Sequence, residues 1–249
     1  MLAVPGVDSV VVGVFGLVYL GMMLGSLPRL AIDRTGIAVL GAIVLLASGR
    51  IGLAEAWQAI DVPTIALLTG LMVISAQLRL GGFYGLVTRR LALHETSPDA
   101  LLAVLIAAGG LLSALLVNDI VCLAMAPVLV EICARRGLAP TPFLLGLACA
   151  ANVGSAATLI GNPQNMLIGQ ALHLSFAGYL RDALVPTVLG LGATWWVIRA
   201  SVRGRWAGAT TVPAALGIRF DRWQTTKRLL GLGGVIALFL VTSWPREIV

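Results

Sequence analysis

The chain has 249 residues, 59% of them hydrophobic and 11% charged, with a mean hydropathy of +0.97. Soluble domains carry about a quarter charged residues, so this composition excludes a water-soluble globular protein and predicts an all-α polytopic membrane protein. The formal net charge of +6 then reads as basic loops on one side of a bilayer rather than as affinity for nucleic acid.

In chain order, the opening MLAVPGVDSVVV has no basic residues before its apolar run, which predicts a retained first helix and not a cleaved leader. Runs of about 20 apolar residues are the unit that spans ~30 Å of hydrocarbon. Predicted spans cover about 7–27, 35–48 and 62–78. Residues 81–95, GGFYGLVTRRLALHE, interleave Phe83, Leu86, Val87, Leu91 and Leu93 with basic residues, the pattern of an interfacial amphipathic helix.

Residues 98–134 form two apolar arms around the polar tip Val117-Asn118-Asp119. Each arm is about 15 residues, or ~22 Å, which favours a re-entrant hairpin over two full crossings. A broken helix over 140–180 and a span over 184–198 follow. Residues 205–228 are a basic linker with Trp206, Phe220 and Trp223 as expected interface anchors, and a last span opens at 229.

The basic residues test this order. With the N-terminus outside, fourteen of the 17 lie inside: Arg29, Arg34, Arg79, Arg89, Arg90, Arg135, Arg136, Arg199, Arg203, Arg205, Arg219, Arg222, Lys227 and Arg228. Arg50, Arg181 and Arg246 lie outside. Two full spans over 98–136 would sort the charges equally well, so charge predicts orientation but not hairpin depth. The asymmetry also excludes insertion of two copies in opposite orientations.

Two polar clusters fall at membrane depth. One is the hairpin tip from Ser113 to Asp119. The other is NVGSAATLIGNPQN, with Asn152, Ser155, Thr158, Asn162, Gln164 and Asn165. Irregular backbone is tolerated there only where protein buries it or it lines a wet cavity, and transporters place such breaks at their binding sites. Pro163 removes an N–H and Gly161 permits close backbone approach, which predicts a deliberate break with Asn165 as the cap of the next half-helix; the alternative is a Pro-kinked helix whose amides satisfy one another. An ionised Asp119 at this depth has to be paired, protonated or ion-bound. The alternative is a shallower tip at which Asp119 caps the return arm. Glu131 is placed to pair with Arg135 one turn on.

Cys122, Cys133 and Cys149 are odd in number and lie within apolar segments without a CxxC, so they imply neither a disulfide framework nor a zinc site. No Ser/His/Asp constellation, phosphate loop or metal-ligand cluster occurs, and His94 and His173 sit at predicted element boundaries. Nothing here speaks for an enzyme, and no cofactor is expected beyond Na+ or H+ as a coupling ion.

SALLVND followed by APVLVEI, and then NVGSAATLIGNPQNMLIG, resembles the ion transporter superfamily. That group holds arsenite permeases, sodium/proton antiporters and divalent anion:sodium symporters with citrate-transporter-like domains. The upstream LPR loop, the EAWQAID segment and the amphipathic helix match in order.

The resemblance implies inverted repeats, each with a re-entrant hairpin and a broken helix, assembled as a homodimer. It implies a coupling-cation or proton site at Ser113, Val117, Asn118, Asp119 and Gly161. Substrate would sit at Asn118, Asp119, Asn162, Pro163 and Asn165. In this frame residues 1–204 are the first repeat, 205–228 a cytoplasmic linker, and 229–249 the first span of an incomplete second repeat.

The Val-Asn-Asp tip departs from the Ser-Asn-Thr of dicarboxylate symporters, which shifts the expectation towards arsenite-permease or antiporter chemistry. The expected function is a secondary permease for a small inorganic or organic anion, coupled to H+ or Na+ in a prokaryotic inner membrane. Alternatives are a cation/proton antiporter and a non-transporting half-permease that awaits a C-terminal partner.

Overall fold

A computed structural model describes residues 8–25, 32–92, 97–208 and 222–241. Among these, the chain forms eleven helices: α1 Ser9–Leu24, α2 Arg34–Ala47, α3 Leu53–Gln58, α4 Val62–Leu80, α5 Phe83–Ala92, α6 Pro98–Leu115, α7 Asn118–Arg135, α8 Pro140–Ser155, α9 Pro163–Ala171, α10 Phe176–Val202 and α11 Arg222–Val241. Among the described residues, three stretches are long and apolar enough to cross a membrane: Leu53–Leu80, Pro98–Leu115 and Phe176–Val202. The helices group into two compact units, Met1–Asp61 and Val62–Val249.

In the first unit α1 and α2 pair through their glycines. A Cβ on Gly21 would meet Ile37 at 3.0 Å, and one on Gly41 would strike Val18. Asp8 caps α1 by accepting from the Val10 N–H at 3.0 Å, and its other oxygen pairs with Arg50 at 2.6 Å. Asp33 caps α2 through the Gly36 N–H. The remaining faces are apolar and exposed, Phe15, Leu17, Met23 and Ile43 among them, as lipid-facing helices require.

The second unit is organised by α6 and α8, which run side by side in the same direction with an offset of 44 residues. Leu102 lies against Gly146, Gly110 against Gly154, and Ala114 against Thr158. A Cβ on Gly154 would strike the Gly110 backbone, and one on Gly146 would meet Leu102 at 2.7 Å. Gly146, Ala150 and Gly154 recur every fourth residue and form a smooth stripe. Such stripes let backbones approach within a membrane, where packing and not hydrophobicity drives association.

α7 and α10 run back the other way. Asp99 at the start of α6 meets Trp195 and Arg199 of α10, and Phe143 at the start of α8 packs on Trp206 with ring centroids 5.5 Å apart. All these groups lie at one end of the unit, its base, and both helix breaks lie at the other. The core between them is apolar and fully buried, with Leu102, Leu105, Val121, Met125, Leu147 and Ala150.

Several boundaries differ from the sequence expectation. α6 has 18 residues because Ser97 caps it through the Ala100 N–H and Pro98 opens its first turn. At ~27 Å this arm nearly matches a hydrocarbon core, so arm length does not decide hairpin depth. The second half of the broken helix ends at Ala171 and not near 180. His173 adopts φ 50° and Ser175 caps α10 through the Gly178 N–H, so the next helix starts at Phe176.

α11 begins at Arg222, which takes the last part of the expected linker into the helix. Trp206 is not an interface anchor. It is buried against Phe143, and its carbonyl accepts from the Ala139 N–H at 2.8 Å. Trp223 is exposed, with the Lys227 ammonium 4.5 Å above its ring. Phe220 and His94 lie outside the described residues.

Candidate functional site

The common direction of α6 and α8 brings their C-terminal ends to one level, and both helices break there. After α6, Leu116 and Val117 are extended and α7 starts at once. After α8, residues 156–162 form an irregular loop before α9.

The second break is held by its own side chains. Asn162, not Asn165, caps α9: its Oδ1 accepts from the Asn165 N–H at 2.8 Å. The cap falls three residues earlier than expected because Pro163 suits the first helical position, where its missing N–H costs nothing. The Asn162 amide donates to Ser155 Oγ at 3.1 Å. Asn165 is instead a clamp, with its amide nitrogen donating to the Ser155 carbonyl at 3.2 Å and the Thr158 carbonyl at 2.9 Å. Those carbonyls are orphaned where α8 stops, and the clamp satisfies them. Gly161 folds directly onto the end of α8, where any Cβ would strike the Ser155 backbone.

Two contacts tie this break to the first. Thr158 donates from its hydroxyl to the Ala114 carbonyl at 2.5 Å, and Asn118 donates to Asn152 Oδ1 at 3.5 Å. Asn152 itself is anchored to the Ala148 carbonyl at 2.9 Å. An apolar shell of Val117, Leu159, Ile160 and Met166, each at most 3% exposed, seals the back of the loop against Leu67 and Leu71 of α4.

The first break is left open. Val117 at the cap of α7 offers no side-chain acceptor, so the first N–H groups of the helix keep their hydrogen-bonding capacity and its positive dipole end. Asp119 sits in that first turn, exposed, and makes no ion pair or hydrogen bond among the described residues. Ser113 Oγ is buried and has no hydrogen-bond partner among the described residues.

The structure therefore gathers the expected residues at one end of the second unit, with Asn118 and Asp119 on the open side and Asn162, Pro163 and Asn165 within the closed loop. Glu131 belongs elsewhere. It is buried towards the base, 2.9 Å from Arg135 and 3.6 Å from Arg89 of α5. Thr158 belongs to the polar cluster expected from the sequence, but its partner, a backbone carbonyl 44 residues away, leaves no local signal.

Bundled apolar helices with two adjacent breaks lined by amides and hydroxyls define an integral membrane protein of the permease class. The chain matches the citrate transporter family, CitMHS, over residues 15–249 and belongs to it. It is 35% identical over 193 residues to the silicon efflux transporter LSI3 of Oryza sativa, covering 77% of this chain and 40% of that protein. It is 31% identical over 163 residues to a Dictyostelium discoideum protein assigned as transporter arsB, covering 66% of this chain and 29% of that protein. An uncharacterized transporter of Mycobacterium tuberculosis is 33% identical over 163 residues, 64% of this chain and 38% of the relative. The matched stretches thus cover 29–40% of the length of these curated relatives.

Proposed function

We propose that this chain forms one half of the substrate and coupling-ion site of a secondary transporter for a small inorganic oxyacid or its anion, driven by H+ or Na+. The carrying observation is the open N-terminus of α7 beside Asp119, held against a self-satisfied loop by Thr158 and Asn118. Free N–H groups at a helix start favour an anionic or oxygen-rich ligand. In this reading Asp119 carries the coupling proton or cation, and the Ser113 hydroxyl, without a partner among the described residues, offers a cation an oxygen. The absence of basic side chains at the tip favours a compact ligand over a tricarboxylate, which needs several charge partners.

The relatives support the same direction, since one carries silicon in its name and another arsB. In this reading 98–134 is a re-entrant hairpin, the N-terminus lies outside a prokaryotic inner membrane, and the site is completed by a second polar break from an inverted repeat or another chain. Assembly as a homodimer follows the same expectation.

The test is flux under an imposed pH or Na+ gradient in proteoliposomes holding this chain together with the second break that completes its site, with arsenite, silicic acid and citrate compared. Gradient-driven arsenite or silicic acid flux exceeding citrate flux supports the reading, and citrate-selective flux overturns it. Asp119, without an ion pair among the described residues, also favours a second reading, cation/proton antiport. Collapse of a pH gradient by Na+ with no anion present would establish that one instead.

A further inference from the structure

A groove separates α6, α8 and α10 on the side of the unit away from α7. It encloses about 470 Å³, and its floor is cut by Ala103, Ala107, Gly110, Gly154, Ala157 and Gly192. The wall from Leu184 to Trp195 is ~16 Å long at the helical rise per residue. That length matches one leaflet, ~15 Å of a ~30 Å hydrocarbon core. Small residues floor the groove along this length and leave it smooth and apolar, a bed that fits a hydrocarbon chain.

Its mouth at the base is chemically different. Trp195 lines the groove and donates from Nε1 to the Asp99 carbonyl at 3.2 Å. The Arg199 guanidinium lies 5.0 Å above the Trp195 ring and uses its Nε on Asp99 Oδ1 at 2.9 Å. Its remaining N–H groups are left for another acceptor. Arg203 follows one turn on and is exposed. A tryptophan with clustered arginines at one end of an apolar span is the signature of the membrane interface.

We propose that this groove is a binding site for an anionic phospholipid, with one acyl chain lying along α6 and α10 and the phosphate at Arg199 and Arg203. The tail would end beside Ala114 and Ala157, next to the two helix breaks, which gives the bilayer direct contact with the ends of α6 and α8.

The experiment uses the wild-type chain in phosphatidylcholine vesicles containing a trace of phosphatidylglycerol with a photoactivatable acyl tail, followed by peptide mapping. Labelling concentrated on 103–114 and 184–195 is expected. It should fall about thirty-fold with a phosphatidylcholine probe, the factor for ~1 kcal/mol at each of the two arginines. Arg199→Gln with Arg203→Gln should remove that headgroup preference, and Ala107→Leu should reduce labelling at both walls with either probe. Labels spread evenly over all exposed helix faces, labelling indifferent to headgroup in the wild type, or a face shielded by a second copy would each overturn the proposal.

Discussion

The two helix breaks sit at the same level and are built in opposite ways. The break after α8 is chemically closed, because Asn162, Asn165 and Ser155 consume the donors and acceptors that the interrupted helix releases. The break after α6 is two residues long, has an apolar cap residue, and leaves an uncapped helix start and a carboxylate with no ion pair or hydrogen bond among the described residues. In a low-dielectric setting an unsatisfied polar group is costly. The closed break therefore reads as scaffold, and the open one as the place where a ligand completes the hydrogen bonding.

This contrast is breakable from both sides. The largest expected effect is at the contact that sets the two breaks level. Gly154→Val should cost about 3 kcal/mol or more, because the added side chain meets the Gly110 backbone and not a movable side chain. Denaturant titration of the reconstituted protein reads this directly.

Asn165→Ala should follow with a loss of about 2 kcal/mol, as the Ser155 carbonyl at the end of α8 and the Thr158 carbonyl in the loop lose their donor. Thr158→Val should cost about 1 kcal/mol, with Thr158→Ser close to wild type, since only the hydroxyl reaches Ala114. Asp119→Asn should be the mildest for stability, within about 0.5 kcal/mol, as befits an exposed side chain without a partner. A stability loss at Asp119 as large as that at Asn165 would erase the distinction between an open and a closed break.

The positions of both breaks were legible because Gly161, Pro163 and the asparagines are conspicuous in so apolar a chain. The Glu131–Arg135 pair was legible for a similar reason, helical spacing of opposite charges. The cap was misplaced by three residues because Asn162 and Asn165 are equally good caps by type, and only the fixed geometry of Pro163 decides between them. The end of α9 was missed because LHLSF carries neither Gly nor Pro, so the left-handed turn falls on His173.

The stripe of Gly146, Ala150 and Gly154 was present in the sequence at regular spacing. Its partner, α6, emerges only from the tertiary packing. The latch from Thr158 to Ala114 lay beyond reach on the same ground, since a backbone acceptor leaves no trace in residue type.

The central claim is that the open break carries the chemistry while the closed one carries the architecture. The most direct measurement is gradient-driven arsenite flux per folded protein for wild type, Asp119→Asn and Thr158→Ser, each reconstituted with the second break that completes the site. The account predicts that Asp119→Asn loses at least about ten-fold in flux with unchanged unfolding, while Thr158→Ser stays near wild type. Full flux in Asp119→Asn would contradict it.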